Sequence, residues 1–137
     1  MVRDIIESWK ILVADDNPKS VKRIQDILVY NGCKKVVGKS KISSLKELEG
    51  YELVILDIVW HGSTKPKYQT SNYFGIKAAE YLRQISPSCK IILMSKYFYE
   101  LDQLDEINKL SDEFFSSNGD SIKIFSKVLK VVAAAND

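Results

Sequence analysis

The feature that most constrains the fold of this chain is a set of short, mostly apolar runs that stop at acidic or hydroxyl residues. Residues 10–14, 53–56 and 89–94 are such runs, rich in Ile, Val and Leu. They lack the alternation of a half-exposed strand and are short for helices, which is typical of strands buried on both faces of a parallel sheet. Residues 36–37 and 113–115 predict two further short strands.

Stretches with apolar residues at helical spacing fill the intervals between these strands. The predicted helices lie at residues 18–30, 44–48, 76–85, 101–110 and 120–132. Pro18 suits the first turn of the first helix, and Asp120 is the predicted N-cap of the last. Five strands alternating with five helices predict a doubly wound α/β fold, in which a five-stranded parallel sheet carries helices on both faces.

The residues before the first strand place Val2, Ile5, Ile6 and Trp9 at helical spacing. They predict either a short helix packed on the edge of the sheet or a frayed end. With 137 residues, the chain has the size of one domain and leaves no room for a second. We therefore divide it into a leader, residues 1–9, and one domain, residues 10–135.

Composition excludes several classes of function. The 20 basic and 18 acidic residues are spread along the chain and give a net charge of +2, so a nucleic-acid-binding face is not expected. No apolar run approaches the roughly 20 residues that span a bilayer, and no signal peptide is recognisable, which predicts a soluble cytoplasmic protein. Cys33 and Cys89 lack the spacing of a metal or redox motif and are interpreted as reduced packing residues.

Acidic and hydroxyl residues stand where the predicted strands end. They are Asp15 and Asp16 after the first strand, Asp57 after the third, Ser95 at the end of the fourth and Ser117 after the fifth. The carboxyl ends of parallel strands meet at one edge of the sheet, where ligands bind near the point at which the strand order reverses. The sequence therefore predicts a site at this edge.

Three converging carboxylates repel one another and raise one another's pKa values unless a cation shares them. Mg2+ suits such a cluster because it binds a few carboxylate oxygens and takes further ligands from water or phosphate. An aspartate beside the ion can attack an activated phosphorus, and the Ser95 hydroxyl can bond to a phosphoryl oxygen. The alternative is that Asp15 and Asp16 form only a turn and a helix cap, and that Ser95 is structural.

The runs at residues 10–18, 51–58 and 91–95 resemble the first, third and fourth strands of response-regulator receiver domains. The resemblance covers nearly the whole chain from Lys10 onward. It implies that residues 10–135 form a receiver domain with the flavodoxin-like fold of that family, and that the protein takes part in two-component signalling.

The same resemblance implies a role for each residue of the site. Asp57 would be the phosphoacceptor, Ser95 the residue that contacts the phosphoryl group, and Phe114 the aromatic that changes rotamer on activation. The cofactor would be Mg2+. Its ligands would be Asp15, Asp16, Asp57 and the backbone carbonyl of Val59.

Two departures from the family's usual pattern surround this site. Ser117 stands where receivers usually carry a lysine, so phosphorylation is expected to be slower and its coupling to conformational change weaker. The segment after Asp57, which includes the irregular residues 61–72, is longer than the family usually needs. Lys65 or Lys67 in this segment, or Lys96 next to Ser95, either supplies the lost charge or is a solvated surface lysine.

Two functions remain open. The first is a stand-alone receiver that takes a phosphoryl group from a histidine kinase or phosphotransfer protein and signals by binding a downstream protein partner, with no output domain after it. The second is a degenerate receiver that serves as a phosphorylation-independent interaction module. In neither is the protein a dedicated enzyme, since at most it phosphorylates and dephosphorylates itself. A nucleotide or flavin binder is not expected, because the turn at Asp15 and Asp16 has acids where a phosphate cradle needs glycines.

Overall fold

The computed structural model describes residues 2–61, 64–66, 73–96 and 104–136. The strands in these ranges are β1 Lys10–Ala14, β2 Lys35–Lys39, β3 Leu53–Asp57, β4 Lys90–Ser95 and β5 Glu113–Ser116. The α-helices are α1 Val2–Ser8, α2 Pro18–Tyr30, α3 Phe74–Ile85, α4 Leu104–Leu110 and α5 Ser121–Ala135. None of these helices is both long enough and apolar enough to cross a membrane.

The strands form one sheet in the order β2-β1-β3-β4-β5, and every neighbouring pair is parallel. The chain winds outward from the middle of the sheet in both directions, and the strand order reverses between β1 and β3. This confirms the predicted doubly wound, five-stranded α/β fold. It also brings the carboxyl ends of β1 and β3 side by side at the switch point.

Apolar residues on the two faces of the sheet build two cores. Val54 and Leu56 of β3 lie in a core with residues of α3 and α4. Leu53 and Ile55, which alternate with them, lie in a second core with residues of α1, α2 and α5. Because successive side chains of a strand point to opposite faces, a strand covered on both sides must be apolar throughout. The helices therefore lie on both faces, as predicted.

Side-chain caps fix where α2 and α5 begin. The side chain of Asn17 accepts a hydrogen bond from the N–H of Lys19 at 3.0 Å, and Pro18 follows as the first residue of α2. Asp120 caps α5 and accepts a hydrogen bond from the N–H of Ile122 at 2.8 Å. Pro18 and Asp120 thus take their predicted positions, and both helices begin close to the carboxyl edge of the sheet.

The leader forms a helix and is not frayed. Ile6 of α1 is completely buried and belongs to the second core. The helix packs against α5, and Glu7 forms an ion pair with Lys34 at 3.5 Å. Of the two alternatives, the structure therefore selects the helix for residues 2–8 and places it against α5.

The connection between β2 and β3 contains the short helix predicted at residues 44–48. It is a 3-10 helix, Leu45–Leu48, and Ser44 with Glu47 forms a capping box at its start. Leu45 and Leu48 are the apolar residues of this segment, and their spacing fits the three-residue turn of a 3-10 helix. The predicted helix at residues 101–110 is seen from Leu104, and residues 101–103 lie outside the described ranges.

Cys33 and Cys89 are both free and buried. Burial raises the pKa of each thiol to about 11. Both groups are therefore protonated at neutral pH and unreactive, in agreement with their interpretation as packing residues.

Candidate functional site

The carboxyl ends of β1 and β3 bring three aspartates together. Carboxylate oxygens of Asp15, Asp16 and Asp57 lie within 4.8 Å of one another. Asp15 and Asp57 are buried, with 3% and 8% of their surfaces exposed, whereas Asp16 is half-buried. The cluster predicted from the strand ends is therefore present in the fold.

The turn between β1 and α2 holds Asp15 and Asp16 without using either as the helix cap. Asp15 Oδ1 accepts a hydrogen bond from the N–H of Asn17 at 2.9 Å, and Asn17 itself caps α2. Asp16 Oδ2 accepts a hydrogen bond from the N–H of His61 at 3.0 Å. Asp15 therefore stabilises the turn, but the alternative that this pair serves only as a turn and cap does not account for Asp16.

Burial and mutual repulsion oppose ionisation of the cluster. The pKa of Asp57 is raised to about 9, first by burial and then by the charges of Asp15 and Asp16. The pKa of Asp15 is raised to about 6, again chiefly by burial, while the positive charge of Lys96 acts in the opposite direction. A divalent cation between these groups would favour the ionised form of each carboxyl.

The chemistry of the donors fits Mg2+. The cluster consists of carboxylates alone, and oxygen is the ligand atom that Mg2+ prefers. Val59, the predicted backbone ligand, is half-buried and lies between Asp57 and His61, whose N–H reaches Asp16. The backbone near Val59 therefore borders the cluster. Asp15, Asp16 and Asp57 would hold the ion and leave its other positions to water or phosphate oxygens.

Trp60 and the start of α3 hold the backbone at Asp57. The indole N–H of Trp60 donates to the carbonyl oxygen of Asp57 at 2.7 Å, and its buried ring packs edge-on against Phe74, with ring centres 5.2 Å apart. The N–H of Gly75 donates to the carbonyl of Ile58 at 2.9 Å. A Cβ atom at position 75 would lie 2.2 Å from the Asp57 carbonyl oxygen, so this approach requires glycine.

Ser95 and Ser117 lie at the ends of the next two strands. Met94 pairs with Asp57, which places Ser95 one residue further along at the same edge. The N–H of Ser117 donates to the carbonyl of Ser95 at 3.0 Å, and both residues are buried. The structure thus brings Ser117 next to the residue expected to contact the phosphoryl group.

Phe114, the predicted switch aromatic, lies in β5 and is half-buried against the core beneath α3 and α4. Its backbone carbonyl accepts a hydrogen bond from the ammonium group of Lys127 at 2.6 Å. Its partial burial beside a core is compatible with a change of rotamer, and the role itself stays a prediction.

The three lysines considered as substitutes for the missing cation differ in their placement. Lys96 directly follows Ser95, is exposed, and acts electrostatically on Asp15. Lys65 is half-buried in the segment whose residue Thr64 bonds through its backbone to Ile42. Lys67 lies outside the described residues. Lys96 therefore lies close enough to the cluster for its charge to favour ionisation of Asp15.

Sequence reasoning did not assign a role to Arg23 or foresee the bond made by Trp60. Arg23 donates hydrogen bonds to the carbonyls of Ser117 and Gly119, at the far end of the chain. A contact between residues so distant in sequence leaves no local pattern. Trp60 belongs to the segment after Asp57, but the sequence does not show that its side chain is fully buried and supports the backbone of Asp57.

A groove of about 880 Å3 lies between α2 and α5 and extends along α2 from Lys19, in its first turn, to Tyr30 at its end. Its apolar lining includes Ile27, Phe125 and Leu129. Two lining residues are highly exposed, Tyr30 at 89% and Ile122 at 79%. Lys19, Lys22 and Arg23 lie along its α2 side together with Asp26, which forms an ion pair with Lys22 at 3.3 Å. The groove thus combines exposed apolar surface with positive charge near the start of α2.

Comparison with protein-family models found no match, and comparison with curated protein sequences found none either. Solved structures do match. The N-terminal domain of a response regulator/sensory box/GGDEF three-domain protein from Carboxydothermus hydrogenoformans is 16% identical, with a TM-score of 0.74 over 93% of this chain and 96% of that chain.

Two receiver domains give similar results. The receiver domain of Francisella response regulator 1452 is 18% identical, with a TM-score of 0.69 over 93% of this chain and 98% of that chain. The BeF3-activated receiver domain of DrrB is 17% identical, with a TM-score of 0.66 over 91% of this chain and 97% of that chain. The chain therefore has the fold of response-regulator receiver domains, which confirms the resemblance at the level of the fold.

Proposed function

We propose that this protein is a receiver of two-component signalling that accepts a phosphoryl group on Asp57 and requires Mg2+. The observation that carries the proposal is the acidic cluster at the switch point of a receiver fold, with Ser95 on the neighbouring strand. Burying mutually repelling carboxyl groups costs stability, so their presence indicates a chemical role. The proposed phosphodonor is a histidine kinase or phosphotransfer protein in the cytoplasm, and the proposed output is binding of a downstream protein.

Each residue of the site has a distinct part in the proposed transfer. A carboxylate oxygen of Asp57 bonds to the donor's phosphorus while the bond from phosphorus to the donor's imidazole nitrogen breaks, and the nitrogen keeps the electron pair. Asp15 and Asp16 hold the ion, and the Ser95 hydroxyl donates a hydrogen bond to a phosphoryl oxygen. When bound, Mg2+ supplies positive charge that neutralises the transferring group. Because its pKa is raised, Asp57 depends on that charge to be ionised at neutral pH.

The groove between α2 and α5 supports a proposal for how the protein donor docks. Its apolar lining suits one face of an amphipathic helix, and Lys19 favours carboxylates on the part of that helix nearest the site. A second copy of the chain fits less well, because α5 itself carries Lys123, Lys127 and Lys130 and no acidic residue. We therefore assign the groove to an acidic, amphipathic helix of the phosphodonor.

The test is incubation with acetyl phosphate and Mg2+, followed by intact mass measurement. We expect the mass of one phosphoryl group to be added to wild type and to Asp105→Asn, which removes an exposed carboxylate on α4. The addition should be lost in Asp57→Asn and when EDTA replaces Mg2+. An unmodified wild type, or a modified Asp57→Asn, would contradict the assignment of Asp57.

The second candidate function is a phosphorylation-independent interaction module. Ser117 favours it, because a buried serine stands beside Ser95 where a cation would assist the phosphoryl group. This candidate predicts that wild type binds its partner equally well with and without acetyl phosphate and that Asp57→Asn binds as wild type does. Partner binding measured with and without acetyl phosphate therefore separates the two functions.

A further inference from the structure

Arg23 joins α2 to the loop between β5 and α5. Its two terminal guanidinium nitrogens donate hydrogen bonds to the carbonyl oxygens of Ser117 and Gly119, each at 2.5 Å. The planar guanidinium holds its N–H donors in a fixed fork and can bond to two acceptors at once. A lysine ammonium group is a compact point charge and lacks this fixed geometry. A side chain from the first turns of α2 therefore holds the last connection of the sheet.

Both backbone groups of Ser117 are used in this arrangement. Its N–H donates to the carbonyl of Ser95 at 3.0 Å, and its carbonyl accepts from Arg23. The loop closes on itself through the N–H of Gly119, which donates to the carbonyl of Ser116 at 2.9 Å. The position of Ser117 beside Ser95 thus depends on α2 as well as on the sheet.

The helix that carries Arg23 is itself bound to the acidic cluster. Its cap, Asn17, donates its N–H to Asp15 Oδ1 at 2.9 Å, and the helix begins at the next residue. A continuous series of bonds therefore runs from Asp15 through α2 and Arg23 to Ser117 and Ser95. Arg23 is exposed and its contacts in the loop are with carbonyl oxygens, so its loss is expected to affect the loop more than the core.

We propose that Arg23 is a positioning residue, which holds the loop between β5 and α5 against Ser95 in a chain that has serine at position 117. Its effect on phosphoryl transfer rests on the proposed function, whereas its effect on the loop does not. Fixing the loop keeps Ser117 and Ser95 in one arrangement beside Asp57, and misplacement of such groups slows reactions even when the reacting residues are intact.

The experiment compares Arg23→Gln and Arg23→Lys with the control Lys123→Gln. The control removes the same charge from an exposed position in the first turn of α5. Amide hydrogen exchange of residues 116–120 is measured by mass spectrometry, together with the rate of phosphorylation by acetyl phosphate and the affinity for Mg2+ by calorimetry.

In Arg23→Gln we expect loop exchange to be faster, and phosphorylation slower, by about tenfold each. Affinity for Mg2+ should stay unchanged, because Asp15 and Asp16 follow β1 and Asp57 ends β3, whereas the hydrogen bonds of Arg23 go to the loop between β5 and α5. Arg23→Lys should lie between wild type and Arg23→Gln, and Lys123→Gln should match wild type. This separation of rate from metal affinity would not follow from a general loss of stability.

Each outcome decides a separate point. Unchanged loop exchange in Arg23→Gln would overturn the inference that Arg23 holds the loop. Faster exchange with an unchanged rate of phosphorylation would overturn its link to the site. If wild type accepts no phosphate, the proposed function fails, and loop exchange alone then decides whether Arg23 holds the loop.

Discussion

Asp57 illustrates how the surroundings of one carboxyl group set its chemistry. Burial and two neighbouring aspartates raise its pKa to about 9, so at neutral pH the isolated protein keeps it protonated. A protonated carboxyl group is a poor nucleophile, and a bound cation reverses this by favouring the carboxylate. In the proposed function, metal binding and the reactivity of Asp57 are therefore two aspects of the same electrostatic balance.

The first prediction is that Asp57→Asn raises the melting temperature at pH 8 in EDTA. Between its unfolded value of 3.8 and its folded value of about 9, Asp57 stays protonated in the folded state and ionises in the unfolded chain. The folded state then binds more protons than the unfolded chain, so the stability of wild type falls as pH rises through this window. The asparagine side chain of the variant is a neutral amide, which does not ionise, so the variant does not lose this stability. We expect a gain of about 3 °C or more.

Thermal unfolding followed by circular dichroism at pH 5 and pH 8 checks this prediction. The gain in melting temperature of Asp57→Asn over wild type should be smaller at pH 5, which lies nearer the lower end of the range between the two pKa values. It should also be smaller with saturating Mg2+, which stabilises the ionised Asp57 of wild type. Asp105→Asn, on the exposed surface of α4, is the control and should show no such pH dependence. An equal gain at both pH values would show that charge burial at Asp57 is not its cause.

The second prediction concerns the missing cation. Ser117→Lys should raise the initial rate of phosphorylation by acetyl phosphate about tenfold or more, because a charged donor placed at a developing anion stabilises the transition state. Lys96→Ala should lower the rate of wild type if Lys96 supplies part of that charge, and it should matter less in the Ser117→Lys background. A faster Ser117→Lys variant with no effect of Lys96→Ala in either background would exclude Lys96 as the substitute.

At the scale of elements, two junctions support the site and the cores. One is the close approach of α3 to the end of β3, where Gly75 lies against the backbone of Asp57 and Ile58. The other is α1, which adds Ile6 to the core beneath α2 and α5. In both places, the packing of one element against another decides which side chain is tolerated.

The third prediction is that Gly75→Ala lowers the free energy of unfolding by about 2 to 3 kcal/mol. The added Cβ would lie 2.2 Å from the Asp57 carbonyl oxygen, so α3 or the segment after β3 must move. Gly32→Ala is the comparison: its φ of +103° disfavours alanine, but no atom lies within 4 Å of the new Cβ. We expect it to cost only about 1 kcal/mol. Urea denaturation of both variants measures the difference.

The fourth prediction tests whether α1 is part of the packed fold. Ile6→Ala should lower the free energy of unfolding by about 3 kcal/mol, because it empties a fully buried position in the second core. Ile5→Ala, one residue earlier and only partly buried, should cost about 1 kcal/mol. Equal, small effects in urea denaturation would mean that residues 2–8 contribute little to stability.

At the scale of the whole molecule, the groove runs along α2, and its Lys19 end is the end of the helix at which the acidic cluster lies. A donor helix in the groove would therefore have its acidic end beside Lys19 and its phosphoryl group near Asp57. Exposed apolar residues are a liability unless a partner covers them, and Tyr30 and Ile122 are among the most exposed large apolar side chains in the described ranges.

The fifth prediction follows from this arrangement. Tyr30→Ala and Ile122→Ser should slow phosphoryl transfer from a phosphorylated histidine phosphotransfer protein by about tenfold, because each removes an exposed apolar contact. They should slow transfer from acetyl phosphate much less, since a small donor needs no docking surface. Ile85→Ser, at an exposed apolar position on α3, is the control and should leave both reactions unchanged. If Tyr30→Ala and Ile122→Ser change the rate of transfer from the phosphotransfer protein no more than the control Ile85→Ser does, the docking surface lies elsewhere.

The features of this protein that could be predicted without the fold are those that local chemistry controls. Apolar strands such as residues 53–56, the Asp120 cap and the acids at the strand ends could be recognised because burial, capping and strand termination each require particular residue types at particular positions. The parallel sheet and the meeting of Asp15, Asp16 and Asp57 followed from these features, and the structure bears both out.

Features that depend on partners distant in sequence could be seen only in the folded chain. The helical spacing at residues 44–48 was too short to distinguish an α-helix from a 3-10 helix. The bonds from Arg23 to Ser117 and Gly119 join opposite ends of the chain, and the pKa of Asp57 depends on which groups burial brings next to it. Residue type and spacing report local conformation, whereas electrostatic coupling depends on distances through space that only the folded chain sets.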